Sequence, residues 1–175
     1  TLTIHLQSQY IPTKNKEQDV TWRKLSSQIG YIDVRSMVEG VDKQFSEALK
    51  SLNNLPYLIV DIRENTGGNS SVGDFIAQHL IKGERTIWNG TKLSPSADAY
   101  KGKVIVLEGP VTVSAAESFL ITMKESGDAI VVGTPSAGDT GGNPRLFKTT
   151  YGMYYWIPIG HPFKYSPKGF PLEGE

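Results

Sequence analysis

The sequence has no cysteine. That excludes a disulfide framework, a thiolate nucleophile and a zinc–thiolate site, and it leaves the compartment open, because a cysteine-free chain suits cytoplasm, periplasm and exterior alike. Net charge is also missing, since 18 Lys plus Arg balance 18 Asp plus Glu over 175 residues. Without a global positive field, neither nucleic acid nor an anionic membrane is an expected partner. No apolar run approaches the roughly 20 residues of a membrane span, and no signal-peptide pattern is present. Neither G-x-x-x-x-G-K-[ST] nor G-x-G-x-x-G occurs, so nucleotide binding is not favoured, and no cofactor or metal is expected. Histidine is scarce, with His5, His79 and His161 the only three.

What the chain does have is a strand–helix–strand unit from Val104 to Gly133. The run Val104-Ile105-Val106-Leu107 meets Gly109-Pro110, a helix is predicted from Ser114 to about Ser126, and a second β-branched run, Ile130-Val131-Val132, ends at Gly133. A right-handed crossover sets the two strands parallel and brings the helix N-terminus to the carboxyl edge of the sheet, where open α/β folds place their sites. Ser114 stands at that edge. Two readings of it are open: S-x-x-E is a capping box with Glu117 reaching back to the Ser114 amide, and the same hydroxyl is placed to act as a nucleophile beside the free N–H groups of the helix start.

Elsewhere the pattern is alternating strand and helix. Thr1–Gln7 alternates as a half-exposed strand, and 9–20 is polar and reads as a linker, so residues 1–20 are expected to be an N-terminal strand and linker and 21–175 the core. Ile29–Val34 is a short strand with Tyr31 and Asp33 on one side. A helix is expected over about Val38–Leu52, with Val41, Phe45, Ala48, Leu49 and Leu52 as its apolar stripe. Tyr57–Ile62 reads as an inner strand covered on both faces. Arg63-Glu64-Asn65-Thr66-Gly67-Gly68-Asn69 follows, then a helix over about Ser71–Lys82 ended by Gly83, with His79 packed beside its apolar face. A strand is expected near Thr86-Ile87-Trp88. A second glycine-rich loop, 134–143, precedes a hairpin of Arg145–Thr150 and Tyr154–Ile159 around Tyr151-Gly152-Met153. The chain begins at Thr1 rather than Met and stops at Leu172-Glu173-Gly174-Glu175, as expected of a piece of a longer product.

Four ordered motifs, I-G-Y-I-D-V, L-I-V-D-I-R-E-N-T-G-G, V-T-V-S-A-A-E-S-F and I-V-V-G-T-P-S-A-G, with the closing L-E-G-E, resemble the S41 peptidases: the tail-specific or C-terminal-processing proteases and their tricorn-core relatives. The resemblance runs from Ile29 to Glu175. It implies an α/β fold, a ClpP/crotonase-like spiral of βα units with a mostly parallel central sheet and a C-terminal β-hairpin. It also implies a serine endopeptidase acting on extended or C-terminal segments of a peptide or protein substrate, in an extracytoplasmic bacterial setting. Ser114 corresponds to the nucleophile, with the amide of Ala115 and a glycine of the Gly67-Gly68 pair as the oxyanion hole, and Glu173 resembles the late acidic residue of tricorn-type members. Thr1–Gln7 resembles the strand leaving the PDZ-like module of many such proteases, which puts that module, or an oligomer partner, outside these 175 residues.

The departures concern the base. Tail-specific members carry a lysine where Asp139 stands, and tricorn-type members a histidine where Asp33 stands. A serine hydroxyl is a poor nucleophile until a positioned group takes its proton, and an aspartate with a reference pKa of about 3.9 is a weak substitute. His161 is the best replacement within the chain, although a loop histidine before Pro162 is the commoner reading. Two further functions stay open: a catalytically silent peptide- or lipid-binding module, and an acyl-CoA enzyme of the crotonase type, disfavoured by the lack of a CoA-binding pattern. The run Gly138-Asp139-Thr140-Gly141-Gly142 is similar to the nucleophile loop of chymotrypsin-like proteases, but the alternation of strand and helix is incompatible with an all-β fold.

Overall fold

The computed structural model describes residues 18–87, 89–139 and 144–158. In chain order these form β1 (Val20–Lys24), β2 (Ile29–Val34), α1 (Val41–Leu52), β3 (Tyr57–Asp61), α2 (Ser70–Gln78), β4 (Arg85–Thr86), β5 (Lys92–Leu93), β6 (Lys103–Glu108), α3 (Ala115–Ser126), β7 (Ala129–Gly133), β8 (Pro144–Lys148) and β9 (Tyr154–Pro158). The central sheet has the order β1-β2-β3-β6-β7. Its last four strands are parallel and β1 runs antiparallel to β2. The hairpin of β8 and β9 forms where the sequence placed it.

Pleating divides the sheet into two unlike faces. Ile32, Val60, Val106 and Val131 stand in one register row, and the first three are fully buried beneath the helices. Helix α1 closes its part of the core with Val41, Phe45, Ala48, Leu49 and Leu52, the stripe read from spacing, and each large side chain so buried contributes about 1.5–3 kcal/mol of transfer free energy. Helices α2 and α3 approach closely because Gly73 has no side chain: a Cβ there would lie 3.2 Å from Phe119 Cβ and 3.4 Å from the Ala115 carbonyl oxygen. The opposite face is not sealed. Tyr57 is 38% exposed and Ile130 62% exposed, which corrects the expectation that β3 is covered on both sides.

Several boundaries differ from the sequence reading for identifiable reasons. Helix α1 starts at Val41 rather than Val38, because Gly40 adopts φ 91° and the Val41 N–H turns back to the Val38 carbonyl. Helix α2 spans Ser70–Gln78 and ends before Lys82. The His79 and Leu80 N–H groups tighten to the carbonyls three residues back, and the Gln78 and His79 carbonyls are taken by Ser96 and Tyr100 N–H. Val20, assigned to the linker, is fully buried and opens β1, which runs on through Trp22 and Arg23 to Lys24. The strand expected near Thr86 is a two-residue pairing of β4 with β5, and Trp88 and Thr1–Gln7 lie outside the described residues.

On the open face at the carboxyl end of the sheet, Asp61 is a buried carboxylate held by three groups. Tyr31 Oη donates to Oδ2 at 2.6 Å, Arg63 Nη2 to Oδ2 at 2.7 Å, and the Arg63 N–H to Oδ1 at 3.0 Å. Burial alone would raise the Asp61 carboxyl, but the bonds from Arg63 and Tyr31 outweigh it and hold the group below the ordinary carboxylate value. The same environment acts in the opposite sense on Tyr31, where burial first and then the Asp61 carboxylate push the hydroxyl up to about 12. A raised folded value means the contribution is fully present below the unfolded tyrosine value of about 10 and is lost as pH rises through about 12. An ultraviolet difference titration of the protein against its Tyr31→Phe variant is expected to show Tyr31 ionising near about 12, and Asp61→Asn is expected to bring that transition down toward 10.

Candidate active site

Two neighbouring turns make the site, one after β3 and one after β6. Because β3 and β6 are adjacent, parallel and in register, both chains leave the sheet at the same edge. In the β6 turn the buried Thr112 hydroxyl donates to the Ile62 carbonyl at 2.8 Å and accepts from the Gly109 N–H at 3.1 Å, which pins the segment to the end of β3. Val113 N–H reaches the Asn65 carbonyl at 3.1 Å. The next residue is Ser114, at φ 60° and ψ −122°, the only non-glycine residue with positive φ among those described. For an L-residue such a backbone costs about 1–3 kcal/mol and persists only where its surroundings enforce it. Ser114 is half-buried, so its side chain stays within reach of solvent.

The β3 turn supplies glycine where nothing else fits. Gly67 lies at φ 81°, and a Cβ on it would come within 2.7 Å of the Val113 carbonyl oxygen, 2.8 Å of Ser114 Cβ and 3.2 Å of the Ala115 nitrogen. Gly68 lies at φ 139°, with an added Cβ 2.5 Å from the Met37 carbonyl oxygen. The two turns are thus in contact, as the sequence reading required. Their amides divide in an unexpected way: the Gly67 N–H donates to Asn65 Oδ1 at 2.9 Å, while neither the Gly68 N–H nor the Ala115 N–H has a hydrogen-bond partner among the described residues.

Glu117 does more than the capping box foretold. Its Oε2 accepts from the Ser114 N–H at 2.9 Å, which is the expected reach-back, and from the Asp139 N–H at 3.1 Å. Its Oε1 accepts from the Ser136 hydroxyl at 2.7 Å and the Gly138 N–H at 2.8 Å. The side chain is 0% exposed, so a buried carboxylate clamps the loop of residues 136–139 onto the start of α3. The sequence signal for this was the pairing of S-x-x-E with a downstream S-A-G-D loop. Spacing alone does not say that they meet.

Asp139 is brought directly beside Ser114, its carbonyl accepting the Ser114 N–H at 3.0 Å while its side chain is exposed. Asp33 is engaged by Arg35 Nε at 3.0 Å. His79 is packed, with Nδ1 2.8 Å from the Phe75 carbonyl oxygen and Nε2 3.3 Å from Asp98 Oδ1. No lysine or histidine hydrogen-bonds to Ser114 among the described residues, and His161, Glu173 and His5 lie outside them. Among the described residues no group of three or more His, Asp or Glu side chains could hold a metal ion, and no helix is long and apolar enough to cross a membrane.

A mostly parallel sheet that carries a strained serine, a glycine pair and a clamped helix start at its carboxyl edge defines an α/β protein of the ClpP/crotonase-like class. Comparison with known proteins narrows this. The chain belongs to peptidase family S41, whose profile matches residues 28–161. It is 28% identical over 126 residues to the chloroplastic carboxyl-terminal-processing peptidase 2 of Arabidopsis thaliana, a match covering 65% of this chain and 24% of that protein. In structure it is similar to the photosystem II D1 C-terminal processing protease, at TM-score 0.73 and 18% identity over 92% of this chain and 47% of that one. It is also similar to the tricorn protease, at TM-score 0.58 and 26% identity over 85% of this chain and 15% of that one. The chain spans a quarter of the plant peptidase and about half of the D1 protease.

Because four donors converge on one buried carboxylate, replacing Glu117 by Ala is expected to strand them and to lower stability by about 3–5 kcal/mol. Urea denaturation checks this. A midpoint unchanged from the parent protein would show that the clamp does not hold the loop.

Proposed function

We propose that the protein is a serine endopeptidase in which Ser114 forms an acyl-enzyme with an extended peptide or a protein C-terminal segment. The observation that carries this reading is the contact of the strained Ser114 with Gly67, beside two amides that have no hydrogen-bond partner among the described residues. Ser114 Oγ attacks the scissile carbonyl and loses its proton to a base. The carbonyl oxygen becomes an anion received by the Ala115 and Gly68 N–H groups, the amine leaves with a proton, and water then releases the acyl group from Oγ. Each amide donor of this kind is worth about 10²–10³ in rate. Glu173 belongs to the proposal as supporting acid on the family resemblance alone, and an extracytoplasmic place of action on the same footing; His161 belongs to it as the replacement base within the chain, near Glu173 in sequence.

The second reading, a silent module that binds peptide or lipid, is favoured by one observation: the residue whose main-chain carbonyl accepts the Ser114 N–H is an aspartate, Asp139, with an exposed side chain. Reaction with a fluorophosphonate, followed by intact-mass and peptide mapping, separates the two. The peptidase reading expects one adduct, on Ser114, absent from Ser114→Ala together with all peptide cleavage. It also expects Asp139→Lys, which places an amine on a main chain already locked beside the serine, to label at least about tenfold faster. An inert serine combined with saturable peptide or lipid binding would establish the silent module instead.

A further inference from the structure

We propose that Asn65 is the positioning residue that sets the spacing of the two amides without a partner among the described residues, Gly68 N–H and Ala115 N–H, and so fixes the shape of the anion-binding pocket at Ser114. This rests on the acyl-transfer reading for what the pocket receives, but the placement itself follows from bonds made by Asn65.

Asn65 is fully buried and uses every polar group it has. Its Nδ2 donates to the Val34 carbonyl at the end of β2 at 2.8 Å, which fixes the side chain against the sheet. Its Oδ1 accepts the Gly67 N–H at 2.9 Å. That bond fixes the Thr66–Gly67 peptide; the next peptide, Gly67–Gly68, is held by the Met37 N–H donating to the Gly67 carbonyl at 2.8 Å, and its Gly68 N–H has no partner among the described residues. On the main chain, the Asn65 carbonyl accepts the Val113 N–H at 3.1 Å, one residue before the strained serine and two before Ala115. The same residue therefore grips both turns, one by its side chain and one by its backbone, and the Gly68 and Ala115 N–H groups stand one residue beyond Gly67 and two beyond Val113.

The side-chain requirement is exacting in its chemistry. Position 65 must offer a donor to a buried carbonyl and an acceptor to a buried N–H at once, and a carboxamide does both at any pH. A carboxylic acid does so only while protonated. Once ionised it would turn a negative oxygen toward the Val34 carbonyl at a fully buried position, and the β3 turn would have to shift. This supplies a test that a general loss of packing would not mimic.

The rate of fluorophosphonate labelling at Ser114, taken per folded molecule, would be measured from acid to alkaline pH for the parent protein, Asn65→Asp and Asn65→Ala. The expected result is a ratio of Asn65→Asp to parent that is near one at the acid end and falls by about 10²-fold as pH rises, with Asn65→Ala low throughout. A ratio that does not change with pH, or parent-like labelling by folded Asn65→Ala, would overturn the assignment. Amide chemical shifts and hydrogen exchange at Gly68 and Ala115 in Asn65→Ala give an answer independent of activity: both amides are expected to change while those of β7 do not, and unchanged Gly68 and Ala115 signals would also overturn it. Failure of the parent protein to label would count against the peptidase chemistry, and the amide measurements would still decide the role of Asn65.

Discussion

The structure at the sheet edge depends on the carboxylate of Glu117. Removing such a group from water is unfavourable by several kcal/mol, and the cost is offset only when its lone pairs are met by donors. Here the Ser114, Gly138 and Asp139 amides and the Ser136 hydroxyl meet them, and the carboxylate also lies in the first turn of α3, where the helix N-terminus favours negative charge. One side chain thereby joins the start of α3 to a loop 19 to 22 residues further on. The strained Ser114, at φ 60°, is thus held at its N–H by the same carboxylate that clamps the loop.

Topology supplies the other half. A parallel sheet sends every strand out at the same edge, and the pairing of β3 with β6 makes the turns after them neighbours. Gly67 then has to pass within contact distance of Val113 and Ser114, which no side chain at position 67 would allow. Thr112 and Asn65 stitch the two turns together from opposite directions, Thr112 reaching to the end of β3 and Asn65 receiving the chain that follows β6. The site is therefore built mainly from main-chain groups, with a few buried polar side chains holding them in register.

This explains what the sequence disclosed and what it hid. The strand–helix–strand alternation, the Val41–Leu52 stripe and the hairpin were legible because burial imposes a period on the side chains. The ends of α1 and α2 were not, because they are set by a left-handed Gly40 and by carbonyls of Gln78 and His79 that a distant segment claims. The two-faced character of β3 was misread for a similar reason. Its residues are apolar on both sides, but only Leu58 and Val60 meet a helix layer, while Asp61 is kept in place by Tyr31 and Arg63. At the site, Ser114 and the glycine pair were visible as motifs. The division of labour between Gly67 and Gly68 was not, since it turns on which amide Asn65 accepts.

Asp139 marks where these two kinds of information part. Its main chain is held twice, by its carbonyl on Ser114 N–H and by its own N–H on Glu117, and neither bond involves its side chain. The scaffold around the serine is consequently indifferent to what position 139 carries, whereas any proton transfer from the hydroxyl depends on it or on a group brought from elsewhere. A site whose scaffold is made by the backbone can change the side chain at one such position without disturbing the fold. The fold and the glycine turn are thus a guide to where chemistry would occur in this protein. Its occurrence is decided by the identity of a proton acceptor, and that is a question of one side chain rather than of architecture.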